Sequence, residues 1–462
     1  MDPHSEQAKP SSKWHIGIPI SKMLASALAV GRVILRQKSG LDDEALIGPA
    51  ALLKACGNLV EHQGEASGLA LAEQILCAYE ALTFAEKGEF FSGLAENFLI
   101  DSASVAAAAS HYQKETSAAS ANRLRKALEP RCNRLFRRLN QVPDATGRLV
   151  KLRGDLLQHE GIHPQLKQVD EDLKRLLLIW FNLGFLSLRR ISWDSPASTL
   201  EKLIEYEAVH EIRGWGDLRS RLKEDRRLFA YFHPAMPDDP IIFVQVALRD
   251  GGSHAIGPLV QEDRLLEDTA KSNTATFYSI SNCHKGLRGI SFGNFLIKQV
   301  ASELRSEFPH LTRFETLSPI PGFRGWVSAS LKENATHTLP APIWDRLRTY
   351  LEDIEDDFDA NPLAQDTLLP LCAHYLTHEK KGQQPIDPVA RFHLGNGALL
   401  DKIHWRGDES KRGKELSFGV MVNYVYEPEE IENRHEAFFS EGRIAASSAV
   451  KDMADSLMGQ SG

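Results

Sequence analysis

Ser318 lies in "FETLSPIPGFRGW", where a strand-like run is stopped by Pro319, Pro321 and Gly322. Such a turn is stiff and can fix a hydroxyl for chemistry, although a serine there can also simply satisfy a nearby backbone group. His393, between Phe392 and Leu394 in "DPVARFHLGNGALL", brings an imidazole whose ordinary pKa is near neutrality, which suits proton transfer. A lone histidine among apolar residues is also a common core residue. The third candidate is "HKGLRGISFGNFLIKQVASEL", in which Gly293, Ile297, Val300 and Leu304 step along one helical face. A basic, glycine-containing loop that opens a helix gathers backbone N–H groups and the positive helix end around an anion. His284, Lys285 and Arg288 add positive charge there, in a chain whose net charge is −8. "CAHYLTHE" sets His374 and His378 four residues apart beside Cys372 and Glu379. It lacks the H-E-x-x-H order of a zinc helix and is read as a packed or solvated helix.

These residues need elements to hold them. The 462 residues exceed a single ordinary core and predict two domains. Up to about residue 190 the pattern is helical. Leu71, Ile75, Tyr79 and Leu82 form one stripe, and Leu124, Leu128, Leu135 and Leu139 another around a break at Pro130. The apolar run Leu176 to Leu188 is too short for a membrane span and is read as a buried helix. Ser198 and Glu201 form a capping-box signature for a further helix. Strand signals then begin: "RRLFAYFHP" and "IIFVQVAL" around "AMPDDP" as a hairpin, then "TATFYSISN", a loop, a helix and "FETL".

The expected fold is α+β, an all-α bundle followed by a mixed α/β domain. The boundaries are a tail over 1–13, a helical domain over 14–192 for scaffolding or oligomerisation, a catalytic domain over 193–455 and a tail over 456–462. The acidic run "EDIEDDFD" is read as a solvated helix face. Overall acidity argues against general nucleic-acid binding, and nothing predicts a membrane partner. Five cysteines without a C-x-x-C pair fit reduced thiols in the cytoplasm.

The spacing Arg288-x-x-Ser291-x-Gly293 resembles the pyrophosphate-cradling loop of acyl-CoA N-acetyltransferases, with serine in place of the first glycine. Taken in order, "GLRGISFGNFLIKQV", "FETLSPIPGF", "DPVARFHLGNGALL" and "GVMVNYVY" resemble the malonyl-CoA decarboxylase family. That resemblance implies a helical domain followed by an acetyltransferase-like catalytic domain, and conversion of malonyl-CoA to acetyl-CoA and carbon dioxide. It places the catalytic serine on Ser318, the catalytic histidine on His393, and a tyrosine bordering the reacting group on Tyr424. The acyl-CoA loop falls on Arg288, Gly289, Ile290, Ser291, Phe292, Gly293 and Asn294, with arginine at a position where some relatives have glutamine. A bacterial cytoplasmic enzyme, a homo-oligomer (dimer or tetramer) through the helical domain, is expected.

The chemistry agrees with that pair. Loss of carbon dioxide from a malonyl thioester leaves an enolate whose charge moves onto the thioester oxygen, so no metal, biotin or pyridoxal phosphate is expected. The protein must align the carboxylate, stabilise the oxyanion and protonate carbon. His393 is the expected proton donor, and Ser318 an orienting or proton-accepting hydroxyl. Two other readings use the same loop: an N-acyltransferase, which needs an acceptor amine, and a non-catalytic acyl-CoA sensor.

Overall fold

The computed structural model describes residues 20–39, 46–161, 163–290, 293–332, 339, 343–345, 347–348 and 362–459. Ser291, Phe292, the expected N-terminal tail and "EDIEDDFD" fall outside the described residues. The chain divides into two compact units. One holds the residues up to Trp180 together with Lys285–Arg288, and the other holds Phe181–His284 and the chain from Gly289 onward.

Among its described residues the first unit is built of helices, from Ile20–Ser39 to Lys167–Trp180. Leu71, Ile75 and Tyr79 are buried along the Glu65–Glu80 helix, while Leu82 lies past its end and is only half-buried. Tyr79 packs on Phe90 and Phe91. These belong to the Phe84–Asn97 helix, which opens on a Thr83–Glu86 capping box. Leu135 and Leu139 are buried, but Leu128, ahead of the break at Pro130, is exposed. Arg153, on the Ala145–Glu160 helix, is buried in a pair with Asp170 at 2.7 Å. It also donates to the carbonyls of Gly286 at 2.6 Å and Arg288 at 2.9 Å. Gly286 lies so close to that helix that a Cβ would stand 1.8 Å from the Val150 carbonyl.

Two local expectations are corrected. The run Leu176 to Leu188 is not one buried helix. The Lys167–Trp180 helix stops, Asn182 accepts from the Gly184 N–H to cap a 3-10 turn, and a strand follows, leaving Ile179 and Phe185 exposed. Ser198 does not cap a helix either. The helix runs Ala197–Tyr206 with Pro196 at its N-cap, so Ser198 sits inside the first turn.

The second unit is organised by a seven-stranded sheet in the order β1-β2-β3-β4-β5-β9-β8. Its strands are β1 (Ser187–Ile191), β2 (Arg226–His233), β3 (Met236–Arg249), β4 (Thr274–Asn282) and β5 (Arg313–Pro319), with β8 (Leu399–His404) and β9 (Met421–Val425). A small separate ribbon pairs β6 (Lys380–Lys381) with β7 (Gln384–Pro385). The expected hairpin is β2–β3, although β3 starts at Met236 and takes up most of the predicted turn. Leu200 and Leu203 pack with Leu228, Ala230 and Phe243 in the core on one side of the sheet.

The only parallel neighbours among the seven strands are β4 and β5, joined through the Gly293–Glu307 helix as a parallel crossover requires. They pair only from Thr274–Arg313 to Phe277–Thr316. Beyond that β5 stays with β9, Leu317 opposite Asn423 and Ser318 opposite Val422, while β4 keeps to β3. The sheet therefore parts between Tyr278–Asn282 and Leu317–Pro319, and the helix-strand order puts the candidate residues around that parting.

Candidate active site

A cavity of about 280 Å³ occupies the parting of β4 and β5, and Ser279, Asn282, Ser318, Pro388, Phe392 and His393 are among its lining residues. Ser318 is the penultimate residue of β5, and the Phe323–Lys332 helix begins after a two-residue turn. Gly322 in that turn has no room for a side chain, since a Cβ would stand 2.2 Å from the Tyr375 hydroxyl. His393 rides on the Pro388–Gly395 helix, which Pro388 opens and Asp387 caps.

Ser318 and His393, separated by 75 residues, meet with Oγ 3.1 Å from Nε2. Ser318 donates its hydroxyl proton to Thr316 Oγ1 at 2.9 Å, so Ser318 Oγ accepts from Nε2–H. Nδ1 then accepts from the Tyr426 hydroxyl at 2.8 Å. Thr316 and Ser318 are two apart on β5 and share a face. Tyr424, opposite Thr316 in the register, lies on that face too and stacks on His393 with centroids 4.6 Å apart. Its own hydroxyl is buried and has no hydrogen-bond partner among the described residues. Tyr426 was passed over in the sequence although it closes the same "NYVY" string, and it supplies the polar contact to the ring.

Burial governs the ionisation of this cluster. It drives the His393 pKa down to about 3, so the imidazole is neutral across the physiological range rather than poised near neutrality. Burial also pushes the Tyr426 phenol well above its ordinary value, keeping it a hydroxyl.

Glu207, which the sequence reading missed, stands behind the Ser279 wall. Its carboxylate accepts from the hydroxyls of Ser279 at 2.8 Å and Ser281 at 2.9 Å, and from Gln245 at 2.5 Å. The only linear signal was two serines at period two on one strand face, with no pointer to a partner more than seventy residues away.

The loop residues are distributed as follows. Arg288 and Gly289 are exposed, Gly289 in the left-handed region at φ 78, and Ile290 is buried. Gly293 and Asn294 begin the helix. His284 is buried, with Nε2 3.0 Å from the Pro240 carbonyl and 3.6 Å from an Asp239 carboxylate oxygen, and its ring lies edge-on to Tyr206. Lys285 and Arg288 remain exposed. In "CAHYLTHE", His374 and His378 stack at 4.7 Å and Cys372 is buried. Among the described residues no group of three or more His, Cys, Asp or Glu side chains converges as a metal site.

The geometry defines an α+β protein with a buried hydroxyl–imidazole pair at a cavity in a parted mixed sheet. The model of the malonyl-CoA decarboxylase C-terminal domain matches residues 184–461, and that of the N-terminal domain residues 98–181. The chain belongs to the malonyl-CoA decarboxylase family. It is 37% identical over 359 residues to the mitochondrial malonyl-CoA decarboxylase of Anser anser anser, covering 71% of this chain and 70% of the relative. It is 36% identical over 400 residues to that of Rattus norvegicus, covering 79% and 81%. Among solved structures, malonyl-CoA decarboxylase from Rhodopseudomonas palustris superposes with a TM-score of 0.84 at 44% identity, over 88% of this chain and 100% of that one. The Agrobacterium vitis protein gives 0.80 at 43% identity, over 87% and 99%.

Proposed function

We propose that this chain decarboxylates malonyl-CoA to acetyl-CoA and carbon dioxide in the cavity between β4 and β5. The observation that carries this reading is the Tyr426–His393–Ser318 chain ending at the cavity wall. The bond between the malonyl carboxylate carbon and C2 breaks, and its electron pair moves into the thioester to give an enolate and carbon dioxide. C2 then takes a proton. With substrate bound, Ser318 turns its hydroxyl proton from Thr316 to the carboxylate or the developing oxyanion, and His393 supplies the proton to C2 from Nε2, directly or through Ser318. The incoming carboxylate opposes the effect of burial on the ring, so the imidazole gains a proton as substrate binds. Tyr426 suits that change because a hydroxyl donates to the neutral ring and accepts from the charged one.

The thioester is its own electron sink, so the reaction needs no metal, biotin or pyridoxal phosphate. Arg288, Gly289 and Ile290, followed by the helix starting at Gly293, support an acyl-CoA loop running from Arg288 to Asn294. Five free thiols, four of them buried, support a cytoplasmic enzyme. We read the helical unit as the assembly surface of a homo-oligomer, a reading supported by exposed Phe84 beside Gly88 and Gly93.

The test is carbon dioxide release from malonyl-CoA without any acceptor amine, matched mole for mole by acetyl-CoA. Turnover that appears only when an amine is added identifies an N-acyltransferase. Binding without turnover identifies a sensor.

A further inference from the structure

Asp387 has no exposed surface, and its two carboxylate oxygens serve two different elements. Oδ1 accepts from the backbone N–H groups of Val389 and Ala390, both at 2.9 Å, and so caps the helix that carries His393. Oδ2 accepts from the N–H of Gly322 at 3.3 Å, in the turn that follows Ser318. The Tyr375 hydroxyl, against which Gly322 is packed, also hydrogen-bonds to this carboxylate. Among the described residues no ion pair is made to Asp387.

A helix cap alone does not call for this arrangement. Serine, threonine or asparagine caps as well as aspartate, without the cost of removing a carboxylate from water. What a carboxylate adds is a second acceptor, and here that acceptor is spent on the other catalytic element. The path from Ser318 through the turn to Gly322, across to Asp387, along the helix to His393 and back across 3.1 Å to Ser318 is a closed ring. With the ring closed, neither the turn nor the helix can shift without lengthening one of its hydrogen bonds.

We propose that Asp387 is a positioning residue that sets the separation of Ser318 and His393 by pinning the serine turn to the histidine helix. The inference rests on the functional reading above for its kinetic arm only. Asp387→Asn separates the two jobs. The amide oxygen still caps the helix, while the amide NH2 meets the Gly322 N–H donor to donor. Asp387→Ser keeps a cap and removes the second acceptor.

The experiment combines kinetics with crystal structures of the variants. Asp387→Asn should lower kcat about ten- to a hundredfold with KM within about twofold, and should widen the Ser318 Oγ to His393 Nε2 distance beyond hydrogen-bonding range. In a Ser318→Ala background the same substitution should cost little more, because there is no hydroxyl left to position. Asp387→Ser is read in the same way should the asparagine variant fail to fold. An unchanged serine–histidine distance, or a kcat loss that multiplies fully with that of Ser318→Ala, overturns the proposal. Absence of carbon dioxide release by the unmodified protein would overturn the functional reading instead, and the crystallographic arm would still decide the role of Asp387.

Discussion

The hydroxyl of Tyr426 lies 2.8 Å from Nδ1 of His393, in the place where a serine hydrolase puts a carboxylate. A carboxylate there orients the ring and favours its charged form. A buried phenol leaves it neutral and makes its proton affinity depend on what enters the cavity.

Tyr426→Phe should therefore reduce kcat about ten- to a hundredfold, since Nδ1 loses its only polar partner in the described structure. Tyr424→Phe is the contrast. Its hydroxyl is buried and unpartnered among the described residues, so removing it should leave turnover close to that of the parent and leave the melting temperature unchanged or higher. Equal losses in the two variants would show that turnover does not depend on the Nδ1 contact in particular.

Binding should consume a proton. His393 is held at a pKa of about 3 by burial, and an anionic ligand raises it again. Calorimetry with a non-reactive malonyl-CoA analogue, repeated near pH 6 in buffers of different ionisation enthalpy, should report net uptake that disappears in His393→Asn. Uptake that persists in that variant would assign the proton to another group.

Ser318→Ala and His393→Asn should each cost about two to four decades in turnover with much smaller effects on binding. Because the two side chains share one reacting group, the double variant should fall well short of the product of the single losses. Turnover near that of the parent in a folded Ser318→Ala protein would return this serine to a purely structural role.

Arg288→Glu should raise the KM for malonyl-CoA more than it lowers kcat at saturation, because it reverses the charge at the start of the loop. An unchanged KM in the folded variant would remove Arg288 from the binding site.

Stability should fall in mild acid. His393 and His374 have native pKa values lowered by burial to about 3 and about 4, against an unfolded value of about 6.5. The unfolded chain thus binds more protons, and their contribution is complete above about pH 6.5 and is lost as pH falls towards those native values. Asp387, raised by burial, works in the opposite sense, its contribution growing as pH falls through its raised native pKa. Urea midpoints between pH 7 and pH 5 should drop, and less steeply in His393→Asn. A slope unaltered by that substitution would exclude this histidine as a source.

The α+β order and the Ser318–His393 pair were legible because each sits in a long, unusual string whose prolines and glycines answer to local geometry, such as the space denied at Gly322. What escaped was set by tertiary pairing. Tyr424 and Tyr426 are equivalent in the linear string, and the end of β9 decides which hydroxyl reaches Nδ1. Asp387 reads as an ordinary cap until the serine turn is brought beside it. Glu207 reads locally as no more than an acceptor for the Val209 and His210 N–H groups just past its helix, since its side-chain donors, Gln245, Ser279 and Ser281, arrive from β3 and β4. The apolar run after Leu176 misled because the helix stops at Trp180 and Asn182 opens a 3-10 turn, a local polar contact that the hydrophobic pattern does not show.

The buried guanidinium of Arg153 finds two of its carbonyl acceptors at Gly286 and Arg288, the first of them 133 residues further along the chain. On a ribosome adding about 5–20 residues per second, the helical unit waits on the order of ten seconds for those acceptors to be made. During that interval Arg153 has Asp170 as its one side-chain partner among the described residues, so the unit emerges first but is completed late. A fragment ending at Trp180 is frozen at that unfinished stage.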